Sequence, residues 1–575
     1  MPVPSAPAAN SGPDGVRHGG PAGLDAAPAR TFTAEAALFL AALALRLTHL
    51  LLYRDDFWLR TPLLDDNVFC SWAGAISREG WLARSLGTFY LNPGYPYLLA
   101  LLGKVMGSGP TAVFAFQHVL GSLAAVLAFR LSLVLFDRRT AWAAGGLCAL
   151  YGPAFFFESR YLGELHIYLL NAAWLLCLAR ARVSPRPRLR WLAAGLCLGA
   201  SAVFRPTALI LAPLSILWGL WTLWDRKKEL ALSLAVFALG LWMPLLPFQL
   251  RNRIVDPASG WGLTTASAGV NLYMGNNPEA DGLNKPPSFA RYGPGHQYQD
   301  YKAEAQRRVG RALTAREADR YWVGRTWEWF RARPREAWRL VWRKAGYFWN
   351  HQEPPDNFFA AIFTRFSRLG PVPLAGWGMV APLGLAGMLW GAGLLRRDWL
   401  LHAYVLAYLA VNAAFVVLSR YRFPAAAGLI PFAAFALAKL YALAASRSWL
   451  KAGALALLLA PCFWLTRLPL IGEEYPAVTH YSMAVIYANQ GWKDQAAAEY
   501  RLSIEADPTF AAPYLNLGLL QAQRGQAAEA VWALERAGEL EVDAERALRI
   551  RRAVAELKAA GKGPPSLEGR RIRLR

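Results

Sequence analysis

Asp65 and Asp66 stand side by side in Pro62-Leu-Leu-Asp-Asp-Asn-Val-Phe-Cys-Ser-Trp-Ala-Gly-Ala-Ile, directly after the first long apolar segment. Adjacent carboxylates at the edge of a lipid phase are costly unless they face water, a counter-charge or a substrate. Carboxylates suit general-base or metal work. Two more acids, Glu158 and Glu164, flank the start of a later apolar run, and Arg205, Arg420 and Arg422 interrupt or border others. Guanidinium groups bind phosphate bidentately. Gathered on one membrane face, these residues would make a site for a phosphorylated lipid. The chain has neither a Walker motif nor a dinucleotide fingerprint, the usual marks of phosphate-driven and redox chemistry. A lipid-phosphate leaving group needs neither, because its bond already carries the transfer potential.

The composition fits that setting. Of 575 residues, 55% are hydrophobic and 24 are Trp, and the mean hydropathy is positive. This suits a polytopic membrane protein with interfacial aromatics. The net charge of +23 comes from Lys and Arg clustered between apolar segments, which reads as topology signals and lipid contact rather than nucleic acid. The five cysteines show no CxxC or metal-like spacing, so no disulfide framework or zinc site is indicated.

Apolar segments predict an all-α membrane protein with about eleven transmembrane helices, at about 33–53, 111–136, 140–157, 164–180, 191–204, 206–224, 230–250, 373–395, 399–419, 423–445 and 452–466. The basic runs Arg138-Arg139, Arg180 to Arg190, Arg226-Lys227-Lys228, Arg396-Arg397 and Arg447 with Lys451 then fall on one side. The positive-inside rule makes that side cytoplasmic. Asp65-Asp66, Glu158, Glu164, Arg205, Arg420, Arg422 and the C-terminal region fall on the other. The short apolar stretch from Pro93 to Gly107 is placed as a juxtamembrane helix on the outer face, since counting it as a span would invert everything after it. Arg46 lies mid-span and must face the bundle interior.

The remaining segments divide as follows. Residues 1–32 read as a disordered cytoplasmic N-terminus. Residues 33–466 form the membrane domain, with outer loops at 54–110 and 251–372. In the second loop Trp322, Trp329, Trp338, Trp342 and Trp349 follow helical steps with arginines interleaved. That pattern suits either a helix lying on the outer headgroup layer or ordinary packing. Residues 467–562 read as an outer tetratricopeptide-like region, because Gly491 and Gly525, and Ala496 and Ala530, are each 34 apart, which is that repeat's period. Two repeats are few, so the region is expected to dock on the outer loop, pack with a helix at about 543–560, or bind a protein partner. Residues 563–575 are a basic tail.

The order of the motifs resembles the GT-C glycosyltransferases that use polyprenyl-phosphate sugars, in particular the branch of protein O-mannosyltransferases and lipid A aminoarabinose transferases. Asp65-Asp66-x-x-Phe69-x-x-x-Ala73-x-x-Ile76-x-x-x-Gly80 is similar to the branch's first-loop motif, with Asp66 in place of Glu and Phe69 in place of Tyr. Asn92-Pro-Gly-Tyr95-Pro96, Phe136-Asp-Arg-Arg139, Glu164, Phe204-Arg205-Pro206 and Arg420-Tyr-Arg422-Phe-Pro424 resemble further family segments. The resemblance implies a GT-C fold in the cytoplasmic membrane of a bacterium. It implies a sugar passed from a polyprenyl-phosphate donor, with inversion, to a protein hydroxyl, lipid A or a surface glycan on the outer face. Asp65 would be the base, Asp66 its support and Glu164 a second acid. Arg205, Arg420 and Arg422 would hold the donor phosphate. Glu158, Tyr95 and Asn276 are candidate substrate contacts.

Each role has a structural alternative. Asp65 would also serve as an N-cap for a helix starting near Asn67. Glu158 would also pair with Arg160, and Asn276 with Asn277 would also shape a turn. Some relatives hold a divalent metal with such acids, so Asp65 with Glu164 is one candidate pair of ligands and His351 with Glu353 another. Two other functions compete with transfer: a lipid-linked-glycan transporter or flippase, and a non-catalytic scaffold displaying the repeats.

Overall fold

The computed structural model describes residues 28–54, 62, 64–107, 109–259, 261–291, 294–354, 374–472, 477–541 and 544–559. Most of the N-terminal segment and the whole basic tail at 563–575 lie outside the described residues. Among those described, the structure is helical, and the one β pairing is an isolated bridge between Tyr151 and Ala375.

All eleven apolar segments have helical counterparts. Six helical stretches are long and apolar enough to cross a membrane: Phe32–Tyr53, Pro110–Leu135, Pro206–Leu223, Lys227–Val255, Ser419–Ala445 and Trp449–Thr466. Two more apolar helices, Trp377–Trp390 and Leu400–Ala414, are shorter. The expected span at 140–157 is broken into Arg138–Ala149 and Gly152–Glu158. Pro153 sits in the first turn of the second piece, where its missing N–H costs nothing but its ring ends any helix arriving from upstream. The break lets Leu150 and Gly152 hydrogen-bond the backbone of Ala375 at 2.9 Å each.

We number the helices that frame the site in chain order: α1 (Pro28–Tyr53), α2 (Asp65–Glu79), α3 (Gly94–Met106), α4 (Pro110–Leu135), α5 (Glu164–Ala181), α6 (Pro187–Phe204), α7 (Lys227–Val255) and α8 (Ala426–Ala445). Helices α6 and α7 pack backbone to backbone. A Cβ at Gly199 would stand 2.2 Å from the Leu241 carbonyl oxygen, and one at Gly240 2.5 Å from that of Leu192. Small residues permit such approach where lipid removes the hydrophobic drive between helices.

Mid-bundle, Arg46 of α1 meets Glu158. Its Nε and Nη2 donate to the two carboxylate oxygens at 2.8 and 3.1 Å, and His118 Nδ1 lies 2.8 Å from Oε2. All three side chains are fully buried. Glu158 is therefore not a substrate contact and does not pair with Arg160: it neutralises the one arginine inside the first span. Gly121 makes room, since a Cβ there would stand 1.9 Å from Glu158 Oε1.

The bundle has two charged ends. At one, Arg182 pairs with Asp398, Arg188 with Glu229, and Arg130 with Glu35. At the other stand Asp65, Asp66, Arg160, Glu164, Arg205 and Arg420. These basic pairs and the acid–arginine cluster thus lie at opposite ends of the bundle.

The outer-loop tryptophans divide between two roles. The helix breaks at Arg333-Pro334, between Ala315–Ala332 and Pro334–Trp349. Trp322 and Trp329 are buried, Trp322 stacking on Phe289 and donating to the Tyr301 carbonyl at 3.1 Å. Trp338 and Trp342 are exposed. Packing claims the first helix, and the second presents an aromatic, basic face.

Beyond residue 476, helices Ala477–Asn489 and Lys493–Ala506 form one pair and Ala511–Gln523 and Ala527–Leu540 a second. Gly491 and Gly525 both take positive φ, 79° and 75°. The turn hydrogen bonds repeat with the same offset: Trp492 N to Tyr487 O at 2.9 Å, Gln526 N to Gln521 O at 3.0 Å. The helix Ala544–Ala559 closes the array, with Ile550 and Val554 packed among Tyr514, Leu515 and Leu534.

Removing one member of a buried ion pair leaves the other uncompensated, at a cost of about 3–5 kcal/mol. Glu158→Ala is expected to destabilise the membrane domain by that order, read as a large drop in melting temperature in detergent. Melting unchanged from wild type would show that Arg46 has another counter-charge.

Candidate active site

Helix α2 begins at Asp65 rather than near Asn67. Its N-cap position is Leu64, held at φ 50° with no side-chain capping bond. Asp65 and Asp66 therefore occupy the first turn, where the helix dipole favours negative charge, and neither is a cap. The alternative role for Asp65 is overturned, because its carboxylate reaches across the fold instead.

Asp65 accepts from Arg420, 355 residues away in the chain. Asp66 accepts from Arg160. Glu164, the first residue of α5, accepts from Arg205. Arg205 Nη1 also donates to the Arg420 backbone carbonyl at 3.2 Å, which joins the first and third pairs. Tyr421 lies against both arginines, its ring centroid 4.5 Å from the Arg205 guanidinium carbon and 5.3 Å from that of Arg420. Three acids and three arginines thus balance, all buried or nearly so. One oxygen of Asp66 (Oδ1) and one of Glu164 (Oε2) are buried and accept no hydrogen bond, a costly arrangement that leaves two acceptor positions in the site.

The Asp65–Arg420 pair separates two cavities. One, of about 40 Å³, lies between helices and is lined by Phe69, Tyr95, Glu164, Phe204 and Arg205. The other, of about 100 Å³, lies beneath the long loop that follows Val255 and is lined by Tyr90, Asn271, Asn284, Arg291 and Tyr298. Asp65, Leu91, Asn92, Arg420 and Tyr421 face both. Tyr95 contributes its ring to the inner cavity, while its hydroxyl is held by Gln117 Oε1 at 2.8 Å.

Two expected site residues lie elsewhere. The Arg422 guanidinium donates to the carbonyls of Tyr347, Phe348, Asn350 and Gln352 and to Glu353, over 2.8–3.3 Å. Fully buried and lining neither cavity, it does not face the place a donor phosphate would take. Asn276 donates to Leu272 and Ala414 carbonyls and accepts from Lys344 Nζ at 2.8 Å. It shapes the loop base and faces neither cavity. Burial lowers the Lys344 amine to about 7. His351 and Glu353 do not converge as ligands either: His351 Nδ1 faces the Thr466 carbonyl, and Glu353 binds Arg422 and Ser419.

The acids do not fit a resident divalent cation. Among the described residues no three His, Cys, Asp or Glu side chains stand together as a metal site. Asp65 and Glu164 each already hold an arginine, whose positive charge occupies the place a cation would take.

Residues 92–248 match the dolichyl-phosphate-mannose-protein mannosyltransferase family. That match covers well under half of the chain and is a resemblance over this segment. The match contains Tyr95, Arg160, Glu164 and Arg205, whereas Asp65, Asp66 and Arg420 lie outside it. No curated protein matches the chain. Among solved structures, the archaeal oligosaccharyltransferase AglB from Archaeoglobus fulgidus, in complex with an inhibitory peptide and a dolichol-phosphate, aligns at 15% identity and a TM-score of 0.42. That alignment covers 81% of this chain and 59% of the oligosaccharyltransferase, so the chain spans well under two thirds of that protein's length. ArnT from Cupriavidus metallidurans, bound to undecaprenyl phosphate, aligns at 13% identity and a TM-score of 0.40, covering 92% of this chain and 78% of ArnT.

Arg160 is the site residue that sequence reasoning misplaced, as a partner for Glu158. Tyr421 was missed, although its place between Arg420 and Arg422 marks it as flanked by cations.

Burial pushes the Asp66 carboxyl up to about 7; Arg160 opposes the shift, and Asp65 and Glu164 add to it. An unfolded Asp releases its proton near 3.8. The contribution of Asp66 to stability is therefore complete below about 3.8 and lost as pH rises through about 7. Wild type is expected to lose melting temperature relative to Asp66→Asn across that window. A difference between the two proteins that stays flat with pH would mean that Asp66 is ionised throughout.

Proposed function

We propose that this protein transfers a sugar from a polyprenyl-phosphate carrier to an acceptor hydroxyl at the outer membrane face, in one inverting displacement. The observation that carries the reading is the Asp65–Arg420 pair, set between an inner cavity with Glu164 and Arg205 and an outer cavity under the loop. A membrane-borne donor suits the inner side, and an acceptor suits the outer. The acceptor oxygen attacks the anomeric carbon and gives its proton to the Asp65 carboxylate. The bond from that carbon to the phosphate oxygen breaks, and its electron pair leaves with the phosphate. Arg205 and Arg420 stabilise the charge that develops there. Asp66, kept in place by Arg160, supports the first turn of α2, and Glu164 orients Arg205.

The existing ion pairs imply an order. Asp65 cannot take a proton readily while Arg420 holds its carboxylate, since a nearby cation favours the ionised form. A donor phosphate competes for Arg420 and frees the base, so donor binding precedes acceptor activation. The acids and arginines that line the two cavities beside Asp65 gather at one end of the bundle, whereas the mid-bundle Arg46 and Glu158 are closed against each other, which favours transfer over transport.

Purified protein incubated with a panel of labelled polyprenyl-phosphate sugars and membrane extract is expected to transfer label from one of them. Asp65→Asn should retain the fold and lose about 10²–10⁴-fold in rate, the usual contribution of a positioned base. No turnover of any donor by folded wild-type protein, or full activity in the variant, would remove this assignment. Arg420→Gln should weaken donor binding and turnover together, whereas Arg422→Gln should act through melting temperature.

A further inference from the structure

A further cavity lies at the other end of the molecule and belongs to neither half of the proposed reaction. It measures about 780 Å³ and opens where α5 ends and where α6 and α7 begin. Arg182, Arg186, Arg188 and Arg226 line it, with Trp191 and Glu229. Arg182 pairs with Asp398 and Arg188 with Glu229. Arg186 and Arg226 make no ion pair among the described residues, though Arg226 acts electrostatically on Glu229, and the cavity lining is net positive, with four arginines beside one acid.

A second feature points the same way. Arg186 and Arg226 are the N-cap residues of α6 and α7, and neither helix start has a side-chain capping bond. The first amides of a helix lack intrahelical partners and attract anions. These helices are 18 and 29 residues long, so each presents a full terminal dipole. Around the cavity, Trp221 and Trp224 are exposed, and Lys227 Nζ lies 3.3 Å from the Trp224 ring centroid. Exposed tryptophans with basic neighbours mark the level of lipid headgroups.

We propose that this cavity binds the phosphate headgroup of an anionic glycerophospholipid, through Arg186, Arg226 and the two uncapped helix starts. The ligand chemistry is a phosphate ester anion, and the aromatic rim favours a lipid source over a soluble one. Basic pockets between transmembrane helices take such headgroups. The assignment is independent of the sugar-transfer reading.

The test uses full-length protein in neutral phosphatidylcholine discs, with phosphatidylglycerol added and retained lipid read by native mass spectrometry. Wild type is expected to retain phosphatidylglycerol. Arg186→Gln with Arg226→Gln should bind it at least about tenfold more weakly, as the loss of charge-assisted contacts implies. Arg138→Gln with Arg139→Gln removes the same charge from exposed positions at the same end and should retain it. Equal loss in both double variants would reduce the effect to surface charge and overturn the site. Displacement of the lipid by equimolar glycerol 1-phosphate would overturn the lipid assignment in favour of a soluble phosphate. Were the cavity variant unable to fold, phenylglyoxal labelling of Arg186 and Arg226 in wild type reads the same contact. Phosphatidylglycerol should protect them, and unaltered labelling would overturn the proposal.

Discussion

The constraint on which this structure depends is that a charge inside an apolar bundle must meet its opposite. Isolated charges in low dielectric cost several kcal/mol, and pairing with good hydrogen bonding offsets that cost. Arg46 meets Glu158 and His118, and Arg422 meets Glu353 and four carbonyls. These clusters fix how helices and loop sit together. The pairs made by Asp65, Asp66 and Glu164 obey the same rule but leave buried carboxylate oxygens without partners and border open space. Arg422, enclosed by carbonyls, and Arg420, bordering two cavities, thus differ in surroundings although two residues apart.

The fold was legible in the sequence to the extent that its signal was local. Long apolar runs marked the helices, and the short motifs between Asn92 and Pro206 lie in the segment that matches a family model. Asp65, Glu164, Arg205 and Arg420 were picked out individually, because a charge beside an apolar run has few benign explanations. Their partners were not legible. Asp65 and Arg420 are brought together only by closure of the whole bundle, and no local pattern says that Arg160 serves Asp66 while Glu158 serves Arg46. Arg422 misled for the same reason: an exposed-looking arginine in Arg-Tyr-Arg gives no hint of the four carbonyls gathered around it. The Trp stripe failed at Pro334, which divides one expected face into two helices with different surroundings.

The proposed site draws on regions that contribute unlike things. The matched segment supplies Glu164 and Arg205 on helix ends, which are rigid. Asp65 comes from the first outer helix and Arg420 from a short turn after a loop. The outer cavity is walled by the long loop, whose Arg291 reaches Glu541 in the C-terminal helices at 3.0 Å. One cavity is thus walled mainly by the long loop and the other by the bundle.

The grip of Arg422 on backbone carbonyls between Tyr347 and Gln352 has a mechanical consequence. It rivets the end of the outer loop domain to the turn that carries Arg420. The position of the Arg420 guanidinium over Asp65 is thereby tied to that of the loop end, through one side chain two residues along the same turn.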